Sequence, residues 1–271
     1  LYPVLFLWRS LYRDSGGPGI QRGGLGLDAC IIPWDTEELV GTLNASCGAV
    51  PPRGAMGGYP PSTCSFGVVR DVAILDEFEH GNIPGAELAE DIEYFSIKQS
   101  GVRIRAGGKD AFVYTLGGGA GVGDPLLRSP ELVARDVRDG YVTEAQAESA
   151  YGVVVDADQE VDADATRTRR QQVRAERLGS EPKNIDFGER ADRPVQPFPE
   201  QVGDEVACGC CGERFAPESG KVRRREAAEA LAGYGATALS RGQDPIVLEE
   251  RFCPACGTSI DVTTARATDG S

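Results

Sequence analysis

Apolar and polar positions divide the chain into a strand-rich first part and a helical second part. The opening LYPVLFLW places apolar side chains at successive positions, the pattern of a strand covered on both faces, so neighbours are expected on each side. Further strands are expected over 27–32, 66–70, 72–75, 92–98, 102–105 and 111–116, with tight turns at Ser100-Gly101 and Gly107-Gly108. Val102-Arg103-Ile104-Arg105 alternates strictly, which gives that strand one wet face. From residue 129 the period changes. Ser129 followed by Pro130 opens a helix that Gly140 ends, and Val133, Val137 and Tyr141 mark its buried face. Thr143 and Gln146 form a capping-box pattern for a second helix. A third helix runs from about Ala163 to Leu178 and stops at Gly179, and its many arginines place it on the surface or against another chain.

Residues 46–65 are dense in proline and glycine without any period, and form a long irregular loop. Residues 180–204 contain four prolines and read as a linker, and a helix is expected over 224–232 beyond it. The fold class is therefore α+β. A β-rich part over 1–124 and short helices over 125–179 make one region, and a small four-cysteine, zinc-ribbon-like domain over 205–271 follows the linker.

Two glycine clusters stand out. Gly16, Gly17, Gly23, Gly24 and Gly26 lie in DSGGPGIQRGGLG, and Gly117, Gly118, Gly119, Gly121 and Gly123 in LGGGAGVGDPL. Pro125 closes the second run and keeps Asp124 out of the helical region. Glycine is costly to order, so such a run implies a need for close backbone approach. A dinucleotide fingerprint would need glycines at i, i+2 and i+5. Neither Gly117-Gly119-Val122 nor Gly119-Gly121-Asp124 completes it, and no Lys-Ser/Thr follows. The run is expected against a partner subunit or at the edge of an active-site cavity.

The length of 271 residues suits one large domain plus a small one. With 28 basic and 42 acidic residues the net charge is -14, which disfavours nucleic acid. The apolar opening is too short to span a bilayer and lacks the flanks of a signal peptide, so no membrane association and a cytoplasmic location are expected. Position 1 is Leu rather than Met, which suggests a fragment or a processed product. His80, the single histidine, sits among Asp76, Glu77 and Glu79 and reads as solvated or locally bonded rather than as a metal ligand. Asp156, Asp158, Glu160 and Asp162 alternate as calcium ligands do. Val161 and Arg167 stand where an EF-hand requires glycine and a bidentate glutamate, so a solvated turn is the better reading.

Of eight cysteines, Cys30, Cys47 and Cys64 are scattered and read as small buried hydrophobes, with a reactive thiol at Cys47 or Cys64 as the lesser reading. Cys208-x-x-Cys211 and Cys253-x-x-Cys256 are two metal knuckles that together supply four thiolates. Zinc is the default, structural because no coordination position stays open; an iron-sulfur or rubredoxin-like iron centre uses the same ligands. Cys210 either replaces a neighbour or is a spare thiol. A module this small needs the metal for its stability, and unoxidised knuckles fit a reducing compartment.

The opening YPVLFLWR, the DSGGPG and RGGLG of residues 14–26, and LGGGAGVGDPL followed by PELVARDVRDGYVTEAQAESAYGVVVD resemble the hydantoinase B/oxoprolinase family. The likeness covers residues 1 to about 179 and the C-terminal part of that family's large subunit. Trp8-Arg9 and DSGGPG look more like the acetone and acetophenone carboxylases than the hydantoin-opening members, and the four-cysteine module looks like the small zinc-binding subunit of those carboxylases. The resemblance implies an ATP-dependent multi-subunit enzyme. In it a hydantoinase A-like ATP-binding subunit phosphorylates a carbonyl oxygen of a ketone or cyclic amide, which is then carboxylated or hydrolysed. It also implies that ATP and a catalytic divalent metal lie on partner chains or on an N-terminal half of the hydantoinase B-like subunit, so that this chain is inactive alone. No catalytic residue carries over. The rival reading is a non-catalytic, zinc-bearing assembly module.

Overall fold

The computed structural model describes residues 2–44, 50–72, 77, 79–82, 92–94, 102–183, 198–232 and 246–266. Cys47, Asp76 and most of the strands expected over 72–75 and 92–98 lie outside them. In chain order the first part contains β1 (Val4–Tyr12), β2 (Gly26–Pro33), β3 (Glu38–Leu43), β4 (Ser65–Val69), β5 (Glu93–Tyr94), β6 (Val102–Gly107) and β7 (Ala111–Thr115). Five of these form an antiparallel sheet in the order β1-β2-β7-β4-β5, and β3 pairs with β6 as a separate ribbon.

Side chains alternate across the sheet and fill two cores. On one face Cys30, Ile32, Val69, Ala111 and Val113 pack with Leu5, Leu7 and Trp8. On the other, Phe66 and Phe112 meet Leu43 and Ile104 of the ribbon, with Ile31 and Tyr114 alongside. As the alternation of β6 requires, Arg103 and Arg105 are exposed.

The opening strand departs from expectation. β1 is the edge of the sheet and is not covered on both faces: Phe6 is 47% and Leu11 59% exposed. Leu5, Leu7 and Trp8 turn one face of the strand into the core, while Phe6 and Leu11 stand on the opposite face, which no apolar layer among the described residues covers.

The helical layer consists of α1 (Pro130–Arg138), α2 (Glu144–Tyr151) and α3 (Ala163–Leu178). Val133 and Val137 enter a core with Val142, Ala147, Ala150, Tyr151 and Val153. Ser129 occupies the N-cap of α1, but its hydroxyl bonds Glu131 rather than a backbone amide. At α2 the Thr143 hydroxyl accepts from the Gln146 amide, one half of the capping box. The other half is supplied from afar. Asp14, at φ 60°, accepts from the Thr143 N–H at 2.8 Å, and its carbonyl accepts from Gln146 Nε2 at 3.1 Å. Burial pushes the Asp14 carboxyl above its ordinary range, against the Thr143 bonds that lower it.

The helix α3 has the expected bounds and, with Arg167, an exposed face as expected, but its other face is not at the surface. Arg170, Arg174 and Arg177, at i, i+4 and i+7, form a buried stripe facing the chain's own segments instead of solvent or another chain. Arg170 donates to the carbonyls of Tyr151 and Arg128 at 3.1 and 2.7 Å, and burial together with Arg174 lowers its pKa to about 10.

The C-terminal part holds β8 (Glu200–Val202), β9 (Glu205–Ala207) and β10 (Arg214–Phe215) in one small sheet, and β11 (Lys221–Glu226), β12 (Ile246–Phe252) and β13 (Ser259–Arg266) in another. The helix α4 (Ala227–Ala232) is shorter than the helix expected over 224–232, because residues up to Glu226 pair with β12 as strand. That pairing aims Arg223 and Arg225 at Glu250, each as a two-pronged fork with bonds of 2.7–3.0 Å. The Tyr59 hydroxyl donates to the same carboxylate at 2.7 Å, and Tyr59 packs with Ala230, Leu248 and Val262, tying the Pro/Gly-rich loop to this sheet.

Burial alone would raise the Glu250 carboxyl, but the two guanidinium groups hold it at about 2, against 4.5 ordinarily. A depressed carboxyl contributes stability above its unfolded pKa and loses it as pH falls through the folded one, so the window runs from about 4.5 down to about 2. Glu250→Gln is expected to lower unfolding free energy at pH 7 by roughly 3 kcal/mol. Its urea midpoint should also fall less steeply than that of the parent protein across that window; equal pH slopes would remove Glu250 from the acid response.

Candidate metal centre

Each cysteine pair sits on a tight turn between two strands. The Cys208 N–H donates to the Glu213 carbonyl and the Gly212 N–H to the Cys208 carbonyl, both at 2.8 Å. The second turn repeats this wiring, Cys253 to Thr258 at 2.8 Å and Gly257 to Cys253 at 2.9 Å. Gly212 and Gly257 take φ of 77° and 69°, which a side chain rarely allows.

The turns face one another, and the four sulfurs of Cys208, Cys211, Cys253 and Cys256 all lie within 4.8 Å of each other. Two cross-turn pairs, Cys208–Cys256 and Cys211–Cys253, stand at 3.7 Å. A tetrahedral ion with metal–sulfur bonds of about 2.3 Å spaces its sulfurs by about 3.8 Å, and a disulfide would need about 2 Å. The residues therefore fit a four-thiolate metal, and the thiolates would supply all four ligands.

Cys210 is buried beside this group but is not one of the four. Contact with Cys256 and burial push its thiol above the ordinary range, and the charge of Arg174 is the largest influence in the other direction. Cys30 is a buried hydrophobe, as expected, and Cys64 accepts the Gly117 N–H at 3.3 Å. His80 is exposed, with its own N–H bonded to the Glu77 carbonyl. Asp156 folds its turn by accepting from the amides of Asp158 and Glu160.

The glycine clusters meet. Backbone of 15–26, 54–62 and 116–123 is laid together by bonds such as Gly17 N–H to Gly119 O, Gly119 N–H to Gly24 O and Gly121 N–H to Tyr59 O, at 2.8–2.9 Å. A Cβ on Gly23 would overlap the Gly119 carbonyl, and one on Gly121 the Pro18 carbonyl. Gly16, Gly17, Gly26, Gly117 and Gly118 are similarly crowded by backbone, Gly119 less so, Gly24 faces open space, and Gly123 has φ of 76°. The close approach expected toward a partner or cavity is thus made to the chain's own loops, because each run supplies the carbonyls that the other's missing side chains admit.

Asp124, at the end of the run, is the hinge between this clasp and the cysteines. Its carboxylate accepts from Arg177 Nη1 and Nη2 at 2.8 and 3.2 Å, from the Leu126 N–H at 3.0 Å and from the Ser259 N–H at 2.8 Å. Arg177 Nη1 also donates to the Gly257 carbonyl at 3.0 Å. Sequence reasoning missed Arg174, Arg177, Thr258 and Ser259; the one signal was the i, i+4, i+7 spacing of arginines.

Gly121→Ala is expected to destabilise by about 1–3 kcal/mol or more, and Gly119→Ala by less. Gly24→Ala should be neutral or stabilising by up to about 1 kcal/mol. Thermal melts of the three variants check the ranking, and equal melting temperatures would contradict it. For the metal, elemental analysis should find about one ion per chain in the parent protein and none after Cys253→Ser with Cys256→Ser, while the far-ultraviolet signal of the strands persists. Full retention of metal would assign it elsewhere.

The sequence profile of the hydantoinase B/oxoprolinase family matches residues 1–125. The acetone carboxylase alpha subunit of Xanthobacter autotrophicus is 27% identical over 198 residues, 65% of this chain and 25% of that protein. The caprolactamase subunit beta of Pseudomonas jessenii is 31% identical over 172 residues, 62% of this chain and 26% of that one. The nucleotide-free structure of acetone carboxylase, from work on ATP-dependent acetone carboxylation, superposes with a TM-score of 0.55 at 28% identity, covering 69% of this chain and 26% of its own. This chain therefore spans about a quarter of the length of the relatives it matches. Residues 1–125 are thus similar to the hydantoinase B/oxoprolinase family, and an acetone carboxylase subunit is among the chain's homologues.

Proposed function

We propose that this chain is part of a hydantoinase B-type subunit in an ATP-dependent multi-subunit enzyme acting on a small carbonyl substrate, and that the reaction is ketone carboxylation. The observation that carries this reading is the joint likeness in sequence and fold to acetone carboxylase, each over about two thirds of the chain. In this reading a hydantoinase A-like partner uses ATP to phosphorylate the ketone oxygen, and the activated carbon skeleton is carboxylated. ATP and a catalytic divalent ion are assigned to that partner and to the rest of the hydantoinase B-type polypeptide, because four thiolates around one ion leave it no position for substrate. Residues 1–179 would be the family region, 180–204 the connection and 205–271 a zinc-bearing structural module. No helix among the described residues is long and apolar enough to cross a membrane, and a cytoplasmic location is part of the proposal.

The second reading, ATP-dependent opening of a cyclic amide, is favoured by the likeness to the caprolactamase subunit. Both begin with the same chemistry, transfer of a phosphoryl group to a carbonyl oxygen, and differ in whether carbon dioxide or water completes the reaction. The test is to assemble the chain with the remaining hydantoinase B-type polypeptide and the hydantoinase A-like subunit and to follow phosphate release. The expected result is no turnover by the chain alone, and turnover by the assembly that needs both a ketone and bicarbonate and yields a 3-oxo acid. Turnover with a lactam and no bicarbonate would replace this by the second reading. Phosphate release from the chain alone would overturn both.

A further inference from the structure

A divalent ion in four thiolates carries a net charge of −2, and a buried charge of that size requires compensation. Arg174 is 2% exposed and reaches the second cysteine turn from α3, 82 positions away in sequence. Its Nη1 donates to the Cys256 carbonyl at 2.9 Å and to Thr258 Oγ1 at 3.0 Å. Thr258 Oγ1 in turn lies 3.1 Å from Cys256 Sγ. Since the guanidinium has only donors, it occupies a lone pair of the hydroxyl, which leaves the Thr258 proton to be donated to the sulfur.

We propose that Arg174 is a positioning and counter-charge residue of the metal centre, acting on the Cys256 thiolate through the Thr258 hydroxyl. The inference rests on metal occupancy of the four-cysteine group. It places part of the site's control on a helix outside the cysteine module. A hydrogen bond and a positive charge next to a bound thiolate draw electron density from the sulfur and fix its direction, as outer-shell partners of metal ligands do. The neighbouring Arg177 does not duplicate this role, because its charge is matched by Asp124.

The full chain is loaded with cobalt(II) for spectroscopy and with zinc for competition against a chromophoric chelator. Arg174→Met should weaken zinc binding about 10- to 100-fold, and the sulfur-to-cobalt charge-transfer band should move to lower energy as the sulfur regains electron density. Arg174→Lys, which keeps the charge but not the planar guanidinium, should fall between, and Thr258→Val should shift the band with a smaller loss of affinity. If Arg174→Met does not fold, the lysine and valine variants carry the test. Bands and zinc affinities equal to those of the parent protein overturn the proposal, and so does a lowered melting temperature with an unchanged band. A parent protein that takes up neither metal refutes the metal reading itself, a different outcome from variants that load normally.

Discussion

The glycine clasp, α3 and the second cysteine turn converge on one buried ion pair, Asp124 with Arg177, whose side chains are 0% and 2% exposed. Taking both charges out of water costs several kcal/mol, and the pair is sustained only because the carboxylate is met by four hydrogen bonds from three different segments. Losing one partner would leave the other charged and dry, at a cost of about 3–5 kcal/mol. The glycine clasp, α3 and the second cysteine turn are therefore held in place as one unit. Around it, Arg53 with Asp261 and Tyr59 with Glu250 fasten the Pro/Gly-rich loop to the last two strands.

This explains how a chain with so much glycine has a defined structure. Ordering such backbone is expensive, and the return comes from contacts that side chains would forbid, carbonyl against α-carbon and amide against carbonyl. The clasp is made of main chain, but its closure depends on charged side chains at its rim. Metal at the cysteines would hold the Thr258–Ser259 end of that rim, so the metal centre and the family region share a boundary rather than lying at two ends of a linker.

Features that depend on local chemistry were legible in the sequence. The bounds of α3, with Asp162 capping and Gly179 in the left-handed region, follow from residues within a few positions of each other, as do both cysteine turns and the strict alternation of β6. What depends on a distant partner was not. The strand β12 hides its alternation because Glu250, a carboxylate, stands at an inward position among Ile246, Leu248 and Phe252, and only Arg223, Arg225 and Tyr59 make that tolerable. The last three residues of β11, 224–226, fall within the helix expected over 224–232 for the same reason, and the buried arginines of α3 read as surface residues because nothing near them in sequence announces their carbonyl and carboxylate partners. The ribbon strand β3, an alternating Glu38–Leu43 with a single fully buried residue, carries too little apolar content to be noticed before its pairing with β6 is known.

The separation of the clasp's parts along the chain sets an order for folding. Residues 15–26 must wait for 54–62 and then for 116–123, and the carboxylate of Asp124 must wait for Arg177 and for the amide of Ser259. Contacts of such long sequence separation are slow to form, because the entropy of closing each loop is spent before the contact repays it. On a ribosome, which delivers the N-terminal side of a chain first, the five-stranded sheet can pair before the cysteine turns emerge. Closure around Asp124 then belongs to the cysteine segment, which follows the clasp along the chain, and ion capture by the two turns would lock it.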